Sequence, residues 1–150
     1  MKLNNIRLEN FRNYGACEAA FDPGVNLIVG DNAQGNMLEA IAFLGSGKAF
    51  RAQKAAELVR FGADFAQIEG GVFSQEREQS LKWVLFSGSR PRKIYRNGVK
   101  KRTAGDISGV LNTILFCPED LMVLKAGSSA RRRLGDNALS QLRPNYEAAL

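Results

Sequence analysis

Six residues, Gly30-Asp31-Asn32-Ala33-Gln34-Gly35, stand between a short β-branched run and an apolar stretch of helical character. Glycines bounding four intervening residues form the front half of a phosphate-binding loop, G-x-x-x-x-G-K-[ST]. The glycines let the backbone bend until successive N–H groups point inward, and a helix N-terminus adds partial positive charge. The second half of the pattern is missing. Asn36 and Met37 stand where a lysine would lie on the β- and γ-phosphates and a hydroxyl would ligate Mg²⁺. Asn36 offers a neutral amide, and the Met37 thioether does not bind a hard cation. A hydrogen bond to a charged group is worth about 1.5–3 kcal/mol. The two losses together weaken a bound triphosphate by several decades in affinity. Taken alone, the loop has two readings: an impaired anion cradle, or an ordinary turn bounded by glycines.

Two clusters of positive charge are the next candidates. Arg90, Arg92, Lys93, Arg96, Lys100, Lys101 and Arg102 crowd one segment with Tyr95 among them, and Arg131, Arg132 and Arg133 form a second cluster. Lysines and arginines neutralise phosphates without reading bases, so the first segment fits a DNA backbone; a solvated hairpin is the competing reading. Three consecutive arginines on a helix point in different directions. A structural or switch role, pairing with Asp136 or Glu119, fits that cluster better than DNA contact. Arg12 has two open readings, a phosphate ligand or a turn-stabilising surface residue. Asn32 and Gln34 read as loop formers, and Trp83 and Phe86 as core.

Composition removes several kinds of chemistry. The 150 residues include no histidine, which excludes a Ser-His-Asp triad and histidine acid–base catalysis. Cys17 and Cys117 have no metal-ligand spacing and read as small buried thiols. Hydrophobic residues at 45% and charged residues at 24% are ordinary for a globular domain, and the net charge of +6 is compatible with a polyanionic partner. No apolar run reaches the roughly 20 residues of a membrane helix, and the first residues lack a signal-peptide core. A cytoplasmic location without membrane contact is the expectation.

Strands and turns must position these residues. Lys2 to Asn10 and Cys17 to Phe21 read as strands, and Asp22-Pro23-Gly24 as a turn. Val25 to Val29 reads as a buried strand and Met37 to Leu44 as a buried helix stopped at Gly45-Ser46-Gly47. A short helix is expected over Ala55 to Arg60. Strands are expected over Phe65–Phe73, Leu81–Phe86 and Lys93–Tyr95, with Asn97-Gly98 as a hairpin turn. Ala104 to Leu111 reads as a helix, Thr113 to Cys117 as a strand, Glu119 to Lys125 as a short helix and Ser128 to Leu142 as a longer one. The last residues, Glu147 to Leu150, read as helix-like, as in a piece of a longer protein.

Taken in order, several segments resemble the RecF family of bacterial DNA-repair ATPases, relatives of SMC-type heads. They are Leu8-Glu9-Asn10-Phe11-Arg12-Asn13-Tyr14, the loop Gly30 to Gly35 followed by Asn36 to Ile41, and Leu58-Val59-Arg60-Phe61-Gly62. Further along come Phe116-Cys117-Pro118-Glu119-Asp120-Leu121 with Lys125, Arg131 to Arg133 and Asp136, and then Ala138 to Tyr146. The family pattern G-[DE]-N-x-Q-G-K-T-N-x-L-E-A-I is matched if Lys-Thr is deleted between Gly35 and Asn36. Gly135 also departs from the pattern and weakens its helix by about 1 kcal/mol.

The resemblance implies an α/β fold: the N-terminal part of a P-loop ABC/SMC-like head, a mixed sheet with an antiparallel strand group and flanking helices. It implies a core lobe over 1–117 and the start of a helical subdomain over 118–150. It implies a repair and replication-restart protein: ATP-dependent binding of single-stranded and gapped DNA that supports RecA loading. ATP with Mg²⁺, an ATP-dependent homodimer and RecR/RecO-type mediators come with it. The implied nucleotide contacts are Gly30, Asp31, Asn32, Ala33, Gln34, Gly35, Asn36, Met37 and Arg12. The rival readings are a DNA-binding module without catalysis and an inactive fragment.

Placing Asn36 and Met37 where Lys-Thr belongs would rotate every later side chain by about 200° and pull Leu38, Ile41 and Phe43 off the core. The expectation is a helix that starts later, after a stretched loop.

Overall fold

The computed structural model describes residues 1–30 and 34–116, with Ser128, Ser129, Arg132, Gly135, Asp136 and Leu139 also placed, all helical. Six strands form one sheet in the order β2-β1-β3-β4-β5-β6: β1 (Lys2–Phe11), β2 (Tyr14–Ala20), β3 (Phe65–Ser74), β4 (Arg77–Phe86), β5 (Lys93–Arg96) and β6 (Val99–Lys101). Every pairing among them is antiparallel. Alternation accounts for the sheet. Ile6 and Leu8 on β1, Ala66, Ile68 and Val72 on β3, and Leu81, Trp83 and Leu85 on β4 all lie on one face and are buried. Tight turns join the strands. Asn97 and Gly98 take left-handed φ of 52° and 75°, as a two-residue hairpin requires. Gln75 and Glu76 adopt the same conformation without a glycine.

One helix, α1 (Gln34–Ser46), covers the buried face through Met37, Ala40, Phe43 and Leu44. It comes close because β3 carries Gly70 beneath it: a Cβ there would lie 2.5 Å from Leu44 Cδ2. Burying these aliphatic and aromatic side chains contributes about 1.5–3 kcal/mol for each large one. Two single turns of 3-10 helix, Ala55–Leu58 and Ala104–Ile107, close the ends of the core with Leu58 and Ile107.

Several expectations are corrected. Val25 to Val29 is not a buried strand: it pairs with no described strand, and Val25, Leu27 and Val29 are 99%, 87% and 82% exposed. Only Ile28 of this run packs on the core. Residues 112–116 likewise form no strand, and Ile114 and Phe116 are exposed. The helix expected from Ala104 to Leu111 is a single turn: Asp106 caps its start by accepting the Arg102 and Thr103 N–H groups, and Ser108 leaves the helical conformation at φ −57°, ψ 139°. Leu38 is exposed on α1, whereas Met37 is buried. Phe86 is half-buried on the outer sheet face, not in the core. Glu119 to Lys125 and most of Ser128 to Leu142 lie outside the described residues.

Candidate functional site: the first turn of α1 and the basic hairpin

The front of α1 is where the loop motif should act. Gly30 is exposed at the end of the extended segment, while Asp31, Asn32 and Ala33 lie outside the described residues. The helix begins at Gln34, so Gln34, Gly35, Asn36 and Met37 form its first turn. The expected late start is therefore wrong. Gln34-Gly35 supply the residues just ahead of Asn36, where Lys-Thr stands in the family pattern. Core contacts explain the choice. With Ala40, Phe43 and Leu44 fixed against the sheet, the helix recruits the two preceding loop residues and keeps its phase.

The turn between β1 and β2 presses on this helix start. Asn36 Nδ2 donates to Asn13 Oδ1 at 2.7 Å. Arg12, in a left-handed conformation with φ 52°, donates Nε and Nη2 to the two carboxylate oxygens of Glu39 at 2.9 and 3.0 Å. Its Nη1 reaches the Glu57 carbonyl at 3.3 Å. All three guanidinium nitrogens of Arg12 thus donate within the protein and tie the β1–β2 turn to α1 and to the Ala55–Leu58 turn. The Glu39 side chain is only 2% exposed, and Oε1 also accepts the Arg51 backbone N–H at 3.0 Å.

That last bond places a residue the sequence did not single out. Arg51 Nη1 lies 3.0 Å from where a Cβ on Gly35 would sit. A guanidinium therefore stands beside the first turn of α1, close to where the missing lysine would be. The available signal was Glu39, one acid in an otherwise apolar helix, which demanded partners. The hydroxyl has no such replacement. The Met37 thioether is buried in the core, so the hydroxyl that ligates Mg²⁺ in the family pattern has no counterpart in the described first turn. Among the described residues of the first turn there is no hydroxyl or carboxylate to ligate magnesium, and the Arg51 guanidinium lies beside that turn.

The seven basic residues fall into two groups. Arg92 and Arg96 are tied into the sheet: Arg92 Nη1 donates to the Gly47 carbonyl at 2.6 Å with its guanidinium 4.9 Å over Trp83, and Arg96 Nε donates to Gln79 Oε1 at 2.8 Å. Both follow the phase of Ile94, which faces the core. Both residues therefore also hold the hairpin to the rest of the fold. Lys93 and Arg90 lie over the Phe86 ring, at 5.5 and 4.4 Å, on the outer face. Lys100, opposite Tyr95, shares that face. Where β5 begins and β6 ends, Pro91, Arg92, Lys93, Lys100, Lys101 and Arg102 line a cleft of about 440 Å³. Asp106 sits just beyond; backbone N–H groups of Thr103 and then Arg102 hold its carboxyl below the usual range. In the second arginine cluster, Arg132 is exposed and helical, and Arg131 and Arg133 lie outside the described residues.

No family model matches the chain. Curated relatives do. The chain is 40% identical over 148 residues to the DNA replication and repair protein RecF of Halalkalibacterium halodurans, covering 97% of this chain and 39% of that protein. It is 36% identical to the protein of the same name from Oceanobacillus iheyensis, with 97% and 40% covered. The chain therefore spans about two-fifths of the length of these relatives.

Among solved structures, the recombination mediator protein RecF-ATP in the RecFOR pathway aligns with TM-score 0.89 and 36% identity over 96% of this chain and 39% of that one. The RecF-ATPrS structure gives 0.88 and 37%, over 97% and 40%. The SMC head domain from Thermotoga maritima, at TM-score 0.59 and 22% identity over 71% and 41%, shows the fold alone. The fold matches the N-terminal part of an ABC/SMC-like ATPase head: an antiparallel sheet with α1 laid on it. Among the described residues, no helix is long and apolar enough to cross a membrane.

Proposed function

This chain belongs to the RecF family, and from that premise we propose that it binds single-stranded and gapped DNA as a RecF-type repair protein in the cytoplasm, with only a weak hold on ATP. In this reading it works with RecR/RecO-type mediators to support RecA loading, and ATP favours pairing of two copies. The core lobe ends near residue 117 and a helical subdomain follows.

The observation that carries the nucleotide part is the first turn of α1. It contains Gln34, Gly35, Asn36 and Met37 where a phosphate grip needs a cation and a hydroxyl. Arg51, beside Gly35, is the nearest described replacement for the cation. When bound, ATP would supply the charge that draws two heads together. Gln34 and Gly35 would offer backbone N–H groups, and Arg51 its guanidinium. Magnesium has no step in this account, because no hydroxyl is present to hold it.

The DNA part rests on Arg90, Lys93, Lys100, Lys101 and Arg102 at the end of the hairpin, with Arg92 and Arg96 holding it in place. Such contacts neutralise phosphates and give binding that falls steeply with salt. Anisotropy of a labelled gapped duplex, titrated with the chain at several salt concentrations, tests this. The expected result is binding that weakens about tenfold or more between 50 and 200 mM salt, and that changes less than about twofold on adding ATP. Failure to bind at the lowest salt contradicts the DNA reading; strong enhancement by ATP contradicts the weak nucleotide site.

A second reading is favoured by one observation. Val25, Leu27, Val29, Ile114 and Phe116 expose a large apolar area. On that reading the chain has no activity by itself until this surface is covered.

A further inference from the structure

Arg92 stands where the basic hairpin meets the far end of α1. The helix ends at Gly47, whose φ is +65° and whose N–H donates to the Phe43 carbonyl at 2.7 Å. The Gly47 carbonyl accepts from Arg92 Nη1. Trp83 lies beneath the guanidinium. The indole Nε1 donates to the Leu44 carbonyl at 3.1 Å, and its ring meets Phe43 edge-on at 5.2 Å. No side chain fits at position 47, because a Cβ would lie 2.4 Å from Trp83 Cη2. Helix end, indole and guanidinium are thus one packed stack. A guanidinium at a helix C-terminus is also electrostatically favourable, since the last carbonyls carry partial negative charge.

Arg92 is also one of the residues that line the cleft, with Lys93, Lys100, Lys101 and Arg102. We propose that Arg92 is a positioning residue that links this cleft to α1, so that a nucleic-acid phosphate held in the cleft tightens the helix whose other end carries the altered phosphate loop. The inference rests on the reading of the cleft as a DNA-backbone site. A guanidinium has five N–H donors in one plane, enough to hold a carbonyl and a phosphate together. A phosphate that immobilises Arg92 selects the arrangement in which Gly47 is capped. By linkage, whatever firms the helix end also favours phosphate binding in the cleft. Lysine in this place keeps the charge and loses both the planar fork and the stacking on Trp83.

Amide hydrogen exchange of the full chain, with and without a random-sequence DNA duplex, tests the link. In the unaltered chain, the duplex should slow exchange of the Gly47 amide and its neighbours by about fivefold. In Arg92→Lys, at a duplex concentration that saturates each chain, the duplex-dependent slowing should disappear, because lysine loses the planar fork and the stacking on Trp83. Arg92→Gln repeats the comparison without a cation. A merely structural arginine would alter exchange equally with and without DNA. Duplex binding without slowing in the unaltered chain, or slowing that survives in Arg92→Lys and Arg92→Gln, overturns the link and leaves the cleft standing. If the duplex does not bind, or binds unchanged when Lys100→Glu and Lys101→Glu are combined, the cleft reading falls and the link falls with it.

Discussion

Arg12 and Glu39 form a two-pronged ion pair, 2.9 and 3.0 Å long, between the β1–β2 turn and the second turn of α1. It joins residues 27 apart in sequence and fixes the helix beneath the altered phosphate loop. The Glu39 side chain is 2% exposed and that of Arg12 23%, so the pair is poorly screened.

Breaking that pair should be costly. Arg12→Ala leaves a buried carboxylate that, among the hydrogen bonds of the described residues, keeps that of the Arg51 N–H. We expect a loss of about 2–4 kcal/mol in urea unfolding. Glu39→Ala should cost less, because the freed guanidinium can reach water. A loss below about 0.5 kcal/mol for Arg12→Ala would show that the pair is incidental.

Gly47→Ala should destabilise by about 2–3 kcal/mol, because it adds a left-handed strain to a clash with Trp83. Trp83 is the chain's one tryptophan, so its fluorescence should report the disturbed stack directly. Unchanged stability and emission would mean that the packing at the helix end is loose.

Asp106 supplies the pH dependence. Its folded-state carboxyl is held low by the Thr103 and Arg102 N–H groups, so its contribution is present above the unfolded value of 3.8. It is lost as pH falls through the lower folded value. A plot of melting temperature against pH should therefore fall less steeply below about pH 4 in Asp106→Asn than in the unaltered chain. Parallel curves would contradict the capping role. The turn is exposed, so the difference should be small.

The exposed apolar run allows a direct contrast. Leu27→Ala should change stability by less than about 0.5 kcal/mol, whereas Leu44→Ala should cost about 2–5 kcal/mol. Chemical denaturation of the two variants decides it. A large loss at Leu27 would mean that the 25–29 segment is packed.

How much of this was legible in the residues depended on how local the determinants were. β3 and β4 could be read because alternation and turn residues are local signals. The hairpin at Asn97-Gly98 could be read because its two left-handed angles suit those residue types. Val25 to Val29 misled for a physical reason: a β-branched run is equally compatible with a strand buried on both sides and with an extended segment that nothing covers. The helix start was misjudged because core contacts nine and ten residues later, at Phe43 and Leu44, set the phase of α1, not its loop. Arg12–Glu39 and Arg51–Gly35 had no sequence signal beyond a lone acid in an apolar helix, since both are contacts across the fold. Arg92 and Arg96 looked like their basic neighbours and were separated from them only by strand phase.

The central claim is that the first turn of α1 keeps the shape of a phosphate site without its strongest grip. Calorimetric titration of ATP into this chain, and into a variant with Lys-Thr inserted between Gly35 and Asn36, tests it most directly. The account predicts weak, magnesium-insensitive binding in the unaltered chain, and a gain of about two decades or more with magnesium dependence in the variant. Equal, tight binding by both would contradict it.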